Sequence, residues 1–165
     1  MTITIESILK IPNQSDQMSV DDYPYYRGDY LNSHYNIIRC RIDNNIDGEM
    51  YSLPKESIWL NDVIGFSNIM IKHQKYDCIL EIESFAKVDL NTNHNYSIRG
   101  VWRKKVPVKY LPKYSSFQDQ SCIETGEDII LISPYNNSLV SNNISDGELV
   151  EIIVQNNLNI KYAQL

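Results

Sequence analysis

The chain has 165 residues, of which 42% are apolar and 22% charged, and a formal net charge of −6. That length suits one domain able to bury roughly 70% of its unfolded surface without metals or disulfides, and the apolar content excludes global disorder. The acidity disfavours the phosphate-neutralising contacts of DNA or RNA binding and favours a basic partner.

Thr2 to Ile8 alternates as a short strand, although Ser7 to Ile11 also fits a helical turn, and Pro12 stops either one. From about 12 to 34 the chain is polar and shows no amphipathic period, so a long irregular loop is expected there. Tyr35 to Ile42 alternates clearly, with Ile38, Cys40 and Ile42 on one face and Ile37, Arg39 and Arg41 on the other. Asp43 to Gly48 reads as a turn, Glu49 to Leu53 as the returning strand, and Pro54 to about Ile64 as a short helix opened by proline. Asn68 to His73 and Tyr76 to Lys87 read as strands; in the second, Cys78, Leu80, Ile82 and Ser84 oppose Asp77, Ile79, Glu81 and Glu83. A polar turn over Asp89 to Asn95 leads into a strand from Tyr96 to Arg103, which Val106 to Leu111 continues. Lys113 to Glu127 reads as irregular and Asp128 to Ser133 as a buried strand. Glu148 to Gln155, Asn156-Asn157 and Leu158 to Tyr162 form an expected hairpin, since paired asparagines tolerate the positive φ of two-residue turns.

Isoleucine occurs 23 times, asparagine 17 and tyrosine 12, against two alanines, which shifts propensity from helices toward strands joined by Asn-rich turns. About eight or nine short strands at close spacing predict a mainly β, single-domain antiparallel sandwich or barrel with one short helix, with an α+β arrangement as the alternative. The single domain covers 1–165, without a repeat or linker. No apolar run reaches the ~20 residues that cross a bilayer, and the first residues lack the basic region of a signal peptide, so a cytoplasmic protein without a membrane role is expected. Cys40, Cys78 and Cys122 are odd in number, widely spaced and in no CxxC pair, a pattern of reduced thiols.

The densest interaction signal is Asp21-Asp22-Tyr23-Pro24-Tyr25-Tyr26-Arg27-Gly28-Asp29-Tyr30. Tyrosine and arginine offer large contact areas with polar tips, so Asp21, Asp22, Tyr23, Tyr25, Tyr26, Arg27, Asp29 and Tyr30 are the expected partner-binding residues. A second patch, basic and aromatic, is spelled by Arg99, Trp102, Arg103, Lys104, Lys105, Lys109 and Tyr110, extended by Lys113 and Tyr114. Cations for phosphates and rings for bases are ingredients of a single-strand groove, but lysines protecting an edge strand and a core-facing Trp102 explain the same residues.

Other motifs are outweighed by structural readings. Asp43, Asn45, Asp47 and Gly48 match half of a calcium loop, but Pro54 occupies the position of its closing glutamate. Arg27-Gly28-Asp29 and the sequons at Asn13, Asn95, Asn136 and Asn143 require secretion to matter. Cys122 lies in a loop-like stretch where His34, His73 or His94 could activate it, yet no spacing selects a partner. Glu81 and Glu83 share a strand face as an acid/base pair would, and as a solvated face would too. No catalytic residue, metal site or cofactor is predicted.

The composite expectation is a non-enzymatic protein-binding inhibitor. An immunity protein or antitoxin neutralising a basic toxin, such as a nuclease, fits, as does a viral or mobile-element protein blocking a host factor. The alternatives are a β-barrel enzyme or small-ligand carrier without a local motif, and a self-assembling structural subunit. Nucleic acid is the less favoured partner, and the sequence leaves the oligomeric state open.

Overall fold

The computed structural model describes residues 1–10, 36–43, 48–62, 64–82, 96–135, 143–154 and 158–165. Five strands close a ring: β1 (Thr2–Lys10), β2 (Asn36–Ile42), β3 (Ile58–Asp62), β4 (Lys75–Ile82) and β9 (Leu158–Gln164). β1 pairs antiparallel with β2 and β4, β2 with β3, and β9 with β4, while β3 and β9 are parallel. A register shift between Ile5 and Ser7 lets β1 serve two neighbours, Thr2 to Thr4 lying on β4 and Ile3 to Lys10 on β2. Ile3, Ile5, Ile38, Cys40, Ile42, Leu60, Cys78, Leu80 and Ile160 fill the interior. Counted along the ring, with β9 as the fifth strand, the connectivity is that of an OB-type Greek-key barrel.

Between β4 and β9 the chain inserts β5 (Tyr96–Arg103), β6 (Cys122–Glu124), β7 (Ile129–Ile132) and β8 (Leu149–Val154). They extend the sheet in the order β4-β7-β6-β5-β8. β4 makes this possible. Its first residues pair with β1, and Glu81 and Ile82 pair parallel with Leu131 and Ile132 of β7 along the edge opposite β9. One face of the added sheet continues the barrel core through Ile98, Trp102, Ile123, Ile130, Ile132, Ile152 and Val154. The other carries a second core of Ile79, Val106, Tyr114, Cys122, Ile129 and Leu131, packed by Tyr110, Leu111 and Phe117. Those last residues belong to a short helical cover, α1 (Leu111–Tyr114) between 3-10 turns at Val108–Tyr110 and Ser115–Phe117.

The mainly β fold with one short helix matches the sequence expectation, and the alternating faces of β2 and β4 hold among the described residues. Six local expectations are corrected. Pro54 to Ile64 is not a helix: Ile58, Leu60 and Asp62 are buried and alternate with Trp59 and Asn61, a strand period that becomes β3. Glu49 to Leu53 is not the partner of β2; only Ser52 pairs, through an isolated bridge to Arg99, because β3 occupies that edge. Asn68 to His73 is a turn region, following the 3-10 turn Phe66–Asn68. Val106 to Leu111 does not prolong β5 but enters the helical cover, and Lys113 to Glu127, read as irregular, holds the end of α1, the 3-10 turn Ser115–Phe117 and β6. The C-terminal strands exist, yet β8 pairs with β5 and β9 with β3 and β4, so they form no hairpin.

Candidate functional site

The Tyr/Asp segment Asp21 to Tyr30, the loop at about 12–34 that contains it, and its Arg27-Gly28-Asp29 tripeptide lie outside the described residues. Its anchors do not. Residues 11–35 connect two neighbouring barrel strands whose last rung is Lys10 opposite Asn36, and Asn36 is in turn opposite Asp62 at the end of β3. The side chain of Asn36 donates to Ser67 Oγ at 2.7 Å. Behind that contact, the buried Asp62 carboxylate accepts the backbone N–H groups of Gly65, Phe66 and Ser67 and the Ser67 hydroxyl, at 2.5 to 3.0 Å. Gly65, at φ 99°, supplies the left-handed turn that aims those amides inward. The stem of the segment is therefore fixed by the barrel and by a fully hydrogen-bonded acid.

Within the basic and aromatic stretch, the structure brings three of the seven residues together around a buried acid. Glu124 accepts from Arg103 Nε at 2.9 Å and Tyr110 Oη at 3.1 Å, and pairs with the Lys109 ammonium. Burial pushes the Glu124 pKa up, but the hydrogen bonds from Lys109, Arg103 and Tyr110 outweigh it and hold the carboxylate below its ordinary range. Tyr110, whose single hydroxyl proton is shared between Glu124 and the Gly126 carbonyl, is pushed up to about 12, first by burial. Arg99 lies apart on Glu151, at 3.3 Å, and Lys105 reaches Asp119 at 3.5 Å. Trp102 is buried in the core. Lys104 is exposed, its backbone N–H donating to Asp146. Lys113 bridges Asp77 at 2.8 Å and Asp128 at 3.1 Å, where the Met1 ammonium also sits.

A cation-aromatic surface that the sequence reading did not single out lies on the outer face of β2 and β3. Arg39 stands 5.8 Å from the Trp59 ring centroid and pairs with Glu6 at 3.4 Å; Arg41 is exposed on the same face. The two arginines were legible on the polar face of β2, but Trp59 was hidden inside the expected helix.

The candidate catalytic thiols and carboxylate that lie among the described residues are buried or engaged. The three thiols are buried; burial raises Cys40 well above its ordinary value and pushes Cys78 and Cys122 up to about 12, which disfavours a thiolate. Cys122 sits in β6, not in a loop. Glu81 is covered, not solvated, held by Gln120 at 2.6 Å and Lys161 at 3.1 Å, whereas Glu83 lies outside the described residues. Asp43, the first position of the calcium-like loop, is engaged by the Thr4 hydroxyl at 2.6 Å and Lys75 at 2.8 Å. Residues 44–47 lie outside the description, and no group of three or more metal-type side chains occurs among the described residues. Likewise no described helix is long and apolar enough to cross a membrane.

No protein-family model, no curated protein and no solved structure matches the chain.

Proposed function

We propose that the chain is a non-enzymatic binding protein that occludes a basic protein, with Asp21, Asp22, Tyr23, Tyr25, Tyr26, Arg27, Asp29 and Tyr30 as its contact residues. The observation that supports this reading is the anchoring of their segment: 25 residues, 11–35, spring from adjacent strands of a closed barrel at a rung locked by Asn36 and Asp62. Loops held by a rigid scaffold carry recognition, and the connection between the first two strands is one of the ligand-binding loops of OB-type barrels. Charge supports a basic target. Five of the six cations of the 99–113 stretch pair with the chain's own acids, which leaves the acidic excess of −6 for a partner. Opposite charge accelerates encounter, and buried tyrosines slow release. A toxin inhibitor of the immunity or antitoxin type, or a blocker of a host factor, has this design.

The test is affinity capture from the native source, washed at low and high salt, with Tyr23, Tyr25, Tyr26 and Tyr30 replaced by alanine in parallel. A stoichiometric basic partner is expected, held roughly a hundredfold more weakly by the quadruple variant. Retention of the same partner at unchanged affinity by that variant refutes the assignment.

A second reading draws on a different observation. Arg39 and Trp59 stack on the outer β2–β3 face beside Arg41, and that face of OB-type barrels takes oligonucleotides or oligosaccharides. Fold analogy alone does not assign function. Fluorescence anisotropy with single-stranded oligonucleotides decides it: this reading requires binding that weakens with salt and is lost in Trp59→Ala.

A further inference from the structure

The helical cover does not seal the sheet it lies on. Between α1 with its following 3-10 turn on one side and the outer faces of β4 and β9 on the other lies an open cavity of about 650 Å³, within the range of small-molecule sites. Part of its wall is apolar. Ile79 belongs to the second core, Phe117 packs against that core, and the Tyr162 ring is braced edge-on by Phe66 at 6.3 Å between centroids.

Two ammonium groups line the same space, and both are held in place. Lys161 is tied to the buried Glu81 at 3.1 Å, and Lys113 to Asp77 at 2.8 Å and Asp128 at 3.1 Å. An ammonium has three N–H donors. Among the described partners Lys161 therefore keeps two donors for a ligand and Lys113 keeps one. Prepositioned donors lose less entropy on binding than mobile lysines do. Asp77, also part of the lining and the most exposed of these three carboxylates, sets the limit on charge. Asp77, Glu81 and Asp128 already balance Lys113, Lys161 and the Met1 ammonium, so a ligand carboxylate rests on the remaining N–H donors, and a second negative charge beside Asp77 is repelled.

We propose that this cavity binds a small aromatic monocarboxylic acid, its ring between Phe117 and Tyr162 and its carboxylate on Lys113 and Lys161. The proposal does not depend on the protein-binding reading.

The experiment is titration of the isotope-labelled protein with 2-naphthoate, followed by amide chemical shifts, with 2-naphthamide and 2-naphthyl phosphate as the neutral and dianionic isosteres. Saturable shifts confined to Ile79, Ser116, Phe117 and Tyr162 are expected, with an affinity about tenfold or more above that of either isostere. Ser116 is exposed and lines the cavity, so Ser116→Trp fills the space without touching the core and weakens naphthoate at least about tenfold. Three results overturn the proposal: no saturable shift in the cavity, equal affinity for amide and acid, or unchanged affinity in a Ser116→Trp protein whose spectrum shows it folded.

Discussion

Glu124→Gln tests whether the basic stretch is internal architecture or an available ligand surface. The substitution keeps the shape and removes the charge that Arg103, Lys109 and Tyr110 converge on. A hydrogen bond involving a charged group contributes about 1.5–3 kcal/mol when buried. The carboxylate qualifies at 5% exposure, but its cationic partners do not, since Arg103 is 33% and Lys109 59% exposed and water regains much of their interaction. The new amide oxygen still accepts from one donor. The net loss is then about 2 kcal/mol, against less than ~1 kcal/mol for Lys109→Met, which removes only the most solvated partner. With a urea slope of ~2 kcal/mol/M, the denaturation midpoint falls by about 1 M for Glu124→Gln and less than ~0.5 M for Lys109→Met. If Lys109→Met proves as damaging as Glu124→Gln, or if Glu124→Gln leaves the midpoint unchanged, Glu124 does not organise the cations and the argument for internal neutralisation fails.

Gly100→Ala places a Cβ 2.3 Å from the Glu124 carbonyl oxygen and 2.6 Å from Ile123 Cγ2, so β5 and β6 must separate; a loss of about 1–3 kcal/mol is expected, and an unshifted melting temperature contradicts this close approach. Leu80→Ala, in the barrel interior, lowers stability by about 2–5 kcal/mol in urea melts, whereas Ser at the exposed Ile64, Ile69 or Ile71 changes it by less than about 0.5 kcal/mol each; comparable losses at both sets refute the placement of the core. Asp43, Asp77, Glu124 and Asp128 are all held below their ordinary values of 3.8 and 4.5, each against the upward push of burial, by the cations and hydroxyls that contact them. Between folded and unfolded values the unfolded chain binds more protons, so their stabilisation is complete above about pH 4.5 and is lost as pH falls through the folded values. At the alkaline end the sign reverses: Cys78, Cys122 and Tyr110, pushed up to about 12 from 9.0, 9.0 and 10.0, stabilise fully below about pH 9 and progressively less as pH rises toward 12. Urea midpoints across pH give a plateau flanked by two declines, and Glu124→Gln makes the acid decline shallower; a profile flat below pH 4.5 contradicts the pairing.

Strands whose two faces meet different surroundings were legible because their side chains alternate. Cys78, Leu80 and Ile82 point into the barrel while Asp77, Ile79 and Glu81 meet the cover. Where a second signal competed, the reading failed. Pro54 followed by Lys55-Glu56-Ser57 resembles a helix start, yet the five residues from Ile58 to Asp62 alternate in burial, and the sheet position between β2 and β9 outweighs the local cue. The Asn156-Asn157 link, which lies outside the described residues, suits a hairpin just as well as a crossing to another position in the sheet. Burial separates the two: Leu158, Asn159 and Ile160 are buried in succession, which requires cover on both faces, and β9 obtains hydrogen-bonded neighbours from β3 and β4 instead of β8. Short 3-10 turns such as Val108–Tyr110 have no period long enough to detect, so the cover was invisible.

Charge was the most misleading local signal, and the reason is topological. Lys104 and Lys105 with Arg99, Arg103, Lys109 and Lys113 form a basic run in sequence, but five of these six are joined to carboxylates: Arg99 to β8, Arg103 and Lys109 to β6, Lys105 to Asp119, and Lys113 to β4 and the edge of β7. Each such acid sits beside strands or turns that the insertion brings together, so a count along the chain sees donors and misses acceptors. The same folding that cancels the run also positions Lys113 and Lys161 over the outer face of β4 and β9, where residual N–H donors face a cavity. Removing Asp77 by Asp77→Asn therefore separates two roles of Lys113: it frees a donor for an anion and lifts the bar to a second negative charge. Naphthyl phosphate should then approach naphthoate in affinity in the titration above. If the dianion stays as weakly bound as before, Asp77 is not what sets the charge of the ligand.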